Sequence, residues 1–190
     1  MARELIDALV HHSRIATAAM RRQEIDLSVQ ARAIAQDLQR AAPARRGKFS
    51  IEPGLTAAGD PAMLRVVLSN LLGNAWKFTK KVSQGKIEFG ALPATDGCRG
   101  FMVRDNRTGC PLYGGRHRLR AFEPQQTIRD FSGAEVGLAM VQRIIQWHGG
   151  RVWAEIDHQQ GTTFYFTLPK GGQASAAEPA GEDQPNSSTG

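Results

Sequence analysis

An α+β domain, with helices covering one face of a sheet, is the fold class this sequence predicts. The first observation is a helical pattern from Pro61 to Thr79, in which Leu64, Val67, Leu68, Leu71 and Leu72 recur at three- and four-residue steps. A second is period-2 alternation in separate stretches, at 85–91, 101–105 and 161–168, which leaves one strand face apolar. Finally, helices and strands interleave along the chain, and a one-sided sheet must bury its apolar face under helices.

Taken in order, residues 3–22 predict a helix. Leu5, Leu9, His12, Ala16 and Met20 form a seam of four- and three-residue steps, widened by Ile6 and Ile15, so a partner helix is implied. Ser28 is expected to cap a second helix with Ile34 and Leu38 inward, ending at Ala41-Ala42-Pro43. Residues 48–52 and 55–58 read as short strands around Pro53-Gly54. Asp60-Pro61 opens the central helix with an acceptor cap and a proline at the first helical position. Strands follow at 85–91 and 101–105, with residues 93–100 as the turn between them. A helix over 138–148 stops at Gly149-Gly150. Strands at 151–155 and 161–168 close the fold. From Pro169 onward the Gly, Ala, Ser, Pro and Glu content predicts a disordered tail.

The 190 residues suffice for one sizeable core, and 41% hydrophobic content is ordinary for a globular chain. No apolar run is long enough to span a bilayer, and the N-terminus lacks a signal-peptide layout, so a cytoplasmic location is expected. The two cysteines, Cys98 and Cys110, are expected as free thiols. A net charge of +6 suits an anionic partner, but the basic residues are scattered and carry no nucleic-acid signature. No Gly-x-x-x-x-Gly-Lys-Ser/Thr string occurs, which excludes P-loop chemistry.

The richest constellation lies on the central helix. Asn70, Asn74 and Lys77 stand at i, i+4 and i+7, on a stripe beside the apolar face. An Asn oxygen is a hard ligand suited to Mg2+, and a Lys supplies a point charge to phosphate. The bland alternative is a solvated polar stripe, with Lys77 favoured by the helix dipole.

The string Asn70-Leu71-Leu72-Gly73-Asn74-Ala75-Trp76-Lys77-Phe78-Thr79 resembles the N box of sensor histidine kinases, whose ATP-binding domain is shared in outline with gyrase, mismatch-repair and chaperone ATPases. The likeness runs from about Leu5 to Leu168. It implies the two-layer α/β sandwich of that superfamily, with a mixed sheet covered by helices on one face and a protruding N-terminal helix. It also implies a division into residues 1–27 (second helix of a dimerisation and phosphotransfer hairpin), 28–170 (ATP-binding catalytic domain) and 171–190 (tail). The substrate histidine belongs on the hairpin's first helix, which is absent here. His11 and His12 lack the acidic residue and downstream Thr/Asn-Pro of that motif and read as helix-surface or interface residues.

Residue by residue, the resemblance implies ATP and Mg2+ as ligands. Asn74 would hold the metal, Lys77 and Asn70 would lie near phosphates, and Phe78 would lie against the nucleotide. Asp105-Asn106-Arg107-Thr108-Gly109 matches the first glycine box, Asp-x-Gly-x-Gly, whose Asp accepts from the adenine amine. Asp105 and Gly109 match, while Arg107 replaces the first glycine. A large cation there would either crowd the pocket or swing out to meet phosphate. An Asp at a strand end also opens turns with no ligand involved.

Residues 110–132 correspond to the lid over the triphosphate, basic enough to bind phosphates or simply a solvated loop. In the second box Gly133, Gly137 and Leu138 match Gly-x-Gly-x-Gly-Leu, but Glu135 replaces the middle glycine, where a carboxylate would repel phosphate. Thr162 corresponds to the hydroxyl residue that helps hold the adenine-binding Asp, although simple hydroxyl packing is the competing reading.

The function so implied is the catalytic domain of a protein-histidine kinase. It would donate the γ-phosphoryl group of ATP to a phosphotransfer histidine of its own parent chain or dimer mate, and serve a response regulator. A homodimeric parent is expected, with this portion the cytosolic part of a membrane-bound or hybrid sensor. The alternative is a degenerate module, dimerising or partner-binding, with weak or no nucleotide affinity; Arg107 and Glu135 argue for it. An ATP-hydrolysing relative would need a Glu general base where Asn70 stands, and Asn cannot take a proton. The nucleotide reading requires Asn74 and Asp105 to face the same side of the sheet and to share a cavity.

Overall fold

A computed structural model describes residues 20–93, 98–107, 117–119, 134–157 and 161–169. Among them, strands β1 (Gln23–Asp26), β2 (Gly47–Ile51), β3 (Thr56–Gly59), β4 (Gly85–Ala91), β5 (Cys98–Asp105), β6 (His117–Leu119), β7 (Val152–Asp157) and β8 (Gly161–Pro169) alternate with helices α1 (Leu27–Ala41), α2 (Pro61–Phe78) and α3 (Ala134–Trp147). Six strands form one mixed sheet in the order β2-β4-β5-β8-β7-β6, in which β2 and β4 run parallel and the other neighbours antiparallel. β1 and β3 form a separate antiparallel pair. This is the expected α+β sandwich.

The core lies between the sheet and the helices. Leu64, Val67, Leu68, Leu71 and Leu72 of α2 are all sealed from solvent, as their spacing predicts. Opposite them sit Ile87 and Phe89 of β4, Phe101 and Val103 of β5, and Phe164, Phe166 and Leu168 of β8. Phe101 and Phe166 are register partners whose rings stack at 5.2 Å. Val141, Ile144 and Ile145 close the core from α3. Outward residues of the same strands, such as Lys86 and Arg104, are exposed, which is the one-sided pattern.

Four expectations change. Asp26, not Ser28, caps α1, and its carboxylate accepts from Val29 N–H at 2.9 Å. Pairing with β3 holds Asp26 extended, so the helix starts directly after it. Ser28 is instead fully buried; its hydroxyl donates to Glu52 O (2.6 Å) and accepts from Leu55 N–H (2.9 Å). That clamp lifts the chain off the large sheet after β2. β2 and β3 therefore join different sheets, and Pro53-Gly54 is no hairpin turn.

β5 begins at Cys98, inside the expected turn, because pairing with β8 extends to Cys98–Pro169. α3 begins at Ala134, four residues before the expected start. Met20, Arg21 and Arg22 are not helical, and Arg21 N–H donates to the Asp60 carboxylate at 3.2 Å. The seam at 3–19, His11 and His12, and the tail from 170 on lie outside the described residues. Within the expected lid, 110–132, the described residues are 117–119, which form the edge strand β6.

α2 is anchored at its start by two groups. The Asp60 carboxylate accepts from Ala62 and Met63 N–H, while Asp60 N–H donates to His148 Nε2 at 3.0 Å. His148 Nδ1 faces Ile144 O at 2.7 Å, so a neutral imidazole with its proton on Nδ1 satisfies both contacts. Burial pushes His148 below the ordinary imidazole value of 6.5, and Arg22 acts the same way; the Ile144 carbonyl and Asp60 oppose them. With the folded value below the unfolded one, the unfolded chain binds more protons in between. His148's contribution is therefore complete above the unfolded value and is lost as pH falls through the folded one. Denaturant midpoints should drop between pH 7 and pH 5, and His148→Gln, which keeps an acceptor for Asp60, should flatten that slope.

Candidate functional site

Two elements deliver the candidate site residues. The last two turns of α2 carry Asn70, Asn74, Lys77 and Phe78, and the C-terminal end of β5 carries Asp105. Strand alternation puts Asp105 on the side of Phe101 and Val103, the helix-covered face, where it is 1% exposed. A carboxylate so buried needs donors. It accepts the main-chain N–H of Arg107 at 3.1 Å and forms an ion pair with the Arg107 guanidinium, Nε lying 3.2 Å from Oδ1, while Thr162 is its register partner. Burial raises the Asp105 carboxyl above its usual range; the Arg107 charge is the largest influence against that, followed by these hydrogen bonds.

Arg107 joins the two elements. Its Nε donates also to Thr162 Oγ1 at 2.9 Å, and its guanidinium lies 4.6 Å from the centre of the Phe78 ring. The alternatives left open by the sequence are thereby decided for this structure. The cation at the first glycine position turns inward onto Asp105. Lys77 Nζ, in contrast, is 5.8 Å from the Phe78 ring and its side chain is exposed.

Asn74 is half-buried, and its carboxamide makes no hydrogen bond to another described side chain or to described backbone. Asn70 is held differently. Its Nδ2 donates to Val66 O, one turn back, at 2.9 Å, which leaves Oδ1 against Gly137 of α3. A Cβ on Gly137 would overlap that oxygen, so the Asn70 carboxamide can hold this position only against a glycine. Leu138 is half-buried against the core. Gly109 and Gly133 lie outside the described residues, as does the side chain of Glu135.

Asn70, Gly137 and Leu138 are thus grouped where α2 meets α3, and Phe78, Asp105 and Thr162 are grouped around Arg107. Asn74 and Asp105 belong to the same side of the sheet, but the cavity beside Asp105, lined also by Lys86, Glu88, Arg104 and Asn106, does not include Asn74. Asn106, which the sequence reading used only as a turn residue, fixes the strand end. Its Oδ1 accepts from Lys86 N–H (2.7 Å), its Nδ2 donates to Gln84 O (3.0 Å), and its own N–H donates to Lys86 O (3.2 Å). An Asp-Asn pair at a strand end is the sequence signal for such a turn. His148 was missed altogether.

Residues 59–172 match the family described as histidine kinase-, DNA gyrase B- and HSP90-like ATPases. The chain belongs to this family. Among curated proteins it is 29% identical to cyanobacterial phytochrome A of a Nostoc species over 169 residues, covering 89% of this chain and 22% of that protein. It is 36% identical to the adaptive-response sensory kinase SasA of Synechococcus elongatus over 120 residues, 60% of this chain and 29% of that protein. It therefore spans less than a third of these relatives' lengths. Among solved structures it resembles full-length ShkA in complex with AMPPNP, with a TM-score of 0.64 and 27% identity over 87% of this chain and 35% of that one. The isolated catalytic domain of the histidine kinase ThkA shares the fold, with a TM-score of 0.59 and 23% identity over 80% of this chain and 97% of that one. The domain thus carries the family's signature and the fold that these histidine-kinase structures share.

Proposed function

We propose that this chain binds Mg-ATP as the catalytic portion of a two-component sensor histidine kinase. The observation that carries the proposal is the cluster of Phe78, Arg107, Asp105 and Thr162, which brings the end of α2 beside a sealed carboxylate at the end of β5. In this reading Asp105 accepts from the exocyclic amine of adenine, Thr162 helps hold Asp105, and Phe78 lies against the nucleotide. Lys77 and Asn70 are assigned near the phosphates together with Leu138 and the second-box glycines Gly133 and Gly137, and Gly109 of the first box is assigned to the base.

The donor set fits a hard divalent ion. The described residues include no cluster of His, Cys, Asp or Glu able to hold a metal. Asn74, with its carboxamide uncommitted, offers the oxygen that a phosphate-bound Mg2+ accepts alongside waters. When bound, that ion neutralises phosphate charge. The chain's own contribution is to orient the nucleotide so that the γ-phosphorus faces an incoming imidazole. In transfer the bond from phosphorus to the β,γ-bridging oxygen breaks, an N–P bond forms, and ADP leaves with the electron pair.

The acceptor histidine is assigned to a phosphotransfer helix of the parent chain or its dimer mate, and the product to a response regulator. The second hairpin helix is assigned to residues before Met20, and the catalytic domain runs to residue 170 from β1 onward, because Gln23–Asp26 already pair with β3 and Leu27 opens α1. A homodimeric parent with this domain in the cytosol is part of the same proposal. No described helix is long and apolar enough to cross a membrane.

Calorimetric titration of Mg-ATP tests the reading. Binding in the micromolar to millimolar range is expected. Asn74→Ala should weaken Mg-ATP by about tenfold or more, roughly 1.4 kcal/mol, while leaving ATP in excess chelator unchanged. Silence of the wild-type chain at millimolar Mg-ATP would overturn it.

A further inference from the structure

We infer that Arg107 is an intramolecular plug of the base-recognition site, so that a purine nucleotide binds only by displacing its guanidinium from Asp105. The inference rests on the nucleotide reading above and goes beyond it, because family resemblance predicts glycine, not a gate, at residue 107.

One side chain engages three groups from three elements: the Asp105 carboxylate of β5 at 3.2 Å, the Thr162 hydroxyl of β8 at 2.9 Å, and the Phe78 ring of α2 at 4.6 Å. Those are the groups assigned above to the adenine amine and ring. The side chains of Arg107 and Asp105 are 12% and 2% exposed, so the ion pair is largely buried. A buried carboxylate left without a donor is costly, and two occupants cannot use the same oxygen and ring face at once. In the resting chain Arg107 supplies the positive charge. With nucleotide bound, the amine takes over and the guanidinium must leave.

The local backbone suits a swing confined to the side chain. Asn106 is tied to Gln84 and Lys86 by three hydrogen bonds, so the pivot stays fixed next to β5. The consequence is a tax on affinity, since the apparent dissociation constant is the intrinsic one divided by the fraction of molecules with Arg107 out. Anything that draws the guanidinium away, such as an anionic group on a partner, would raise nucleotide affinity without touching the nucleotide.

Two measurements on the whole chain test this. Arg107→Gly should bind Mg-ATP at least about tenfold more tightly than wild type by calorimetry, where an arginine of purely structural role would give equal or weaker binding. In the wild-type chain, the Arg107 Nε–H resonance in 1H–15N spectra should be protected and should shift or vanish at saturating Mg-ATP. Arg107→Gln and this wild-type resonance decide the matter should the glycine variant not fold. An Arg107 resonance unchanged at saturation, or affinity unimproved in a folded variant, overturns the plug while leaving the nucleotide reading intact. Absence of binding by wild type and both variants at millimolar Mg-ATP overturns that reading and the plug with it.

Discussion

Asp105→Asn will weaken Mg-ATP binding, and it will do so by more in an Arg107→Gly background than in the wild-type chain. Asp105 faces donors of Arg107: its main-chain N–H, which the carboxylate accepts, and its guanidinium, with which it is paired. Asparagine exchanges one acceptor oxygen for an NH2 group, and at least one donor then faces another donor. Losing a hydrogen bond to a charged acceptor in a sealed site is worth about 2–3 kcal/mol, or roughly 30- to 150-fold. That full loss belongs to the Arg107→Gly background. In the wild-type chain the same substitution also loosens the guanidinium that competes with the nucleotide, so part of the loss is returned.

The same substitution has two opposed effects on stability. Burial raises the folded value of Asp105 above the unfolded one, so the folded state holds this proton to higher pH than the unfolded chain. Its contribution favours folding below the unfolded value and is lost as pH rises through the folded value. Above that, the ionised carboxylate costs stability, and asparagine removes that cost. Thermal melts without nucleotide should show a loss for Asp105→Asn at neutral pH from the unpaired guanidinium, offset in part by removal of that cost, while calorimetry shows the binding deficit. Affinity that is unchanged in both backgrounds would exclude Asp105 from base recognition.

How much of this was legible in the chain depends on the range of the forces involved. α2 could be read in full because its cap, its N1 proline and its apolar period are all local, and Leu64 to Leu72 are buried as the period requires. Asp105 could be read because a strand end followed by Asn106 is also a local signal. Ser28 and Asp26 could not be told apart, since either side chain can cap a helix. The choice was made by a β-pairing with β3, some thirty residues away in sequence. The same pairing separated β2 from β3. The start of β5 at Cys98 likewise depends on β8, its long-range partner.

The direction of Arg107 was illegible for a related reason. Its choice between solvent and Asp105 is settled by Phe78 and Thr162, which approach from α2 and β8. His148 gave no signal because a lone histidine before Gly149-Gly150 looks like any helix end. Its function is defined by Asp60, 88 residues earlier.

Gly161→Ala should be among the most destabilising single substitutions in the domain, and should silence the site along with the fold. Gly161 opens β8 with φ at +107°, a conformation that side-chain-bearing residues rarely adopt. A Cβ there would overlap the carbonyl oxygen of Asp105 and sit 2.8 Å from its carbonyl carbon and 3.0 Å from Asn106 Cα. The obstacle is backbone on every side, so no rotamer change relieves it. The conformation costs about 1–3 kcal/mol and the overlap about as much again, together a large share of the roughly 5–15 kcal/mol that holds a domain folded. Gly161 pairs with Asp157 and adjoins Thr162, whose register partner is Asp105. Relief by backbone movement would therefore pull Thr162 away from Asp105, and its Oγ1 away from Arg107. The expected result is a lower denaturation midpoint, and in the surviving folded fraction an Arg107 Nε–H resonance that is no longer protected. A melting temperature within a degree or two of wild type would mean that β8 can enter the sheet by another route, and that the Asp105–Thr162 pairing is less rigid than its geometry indicates.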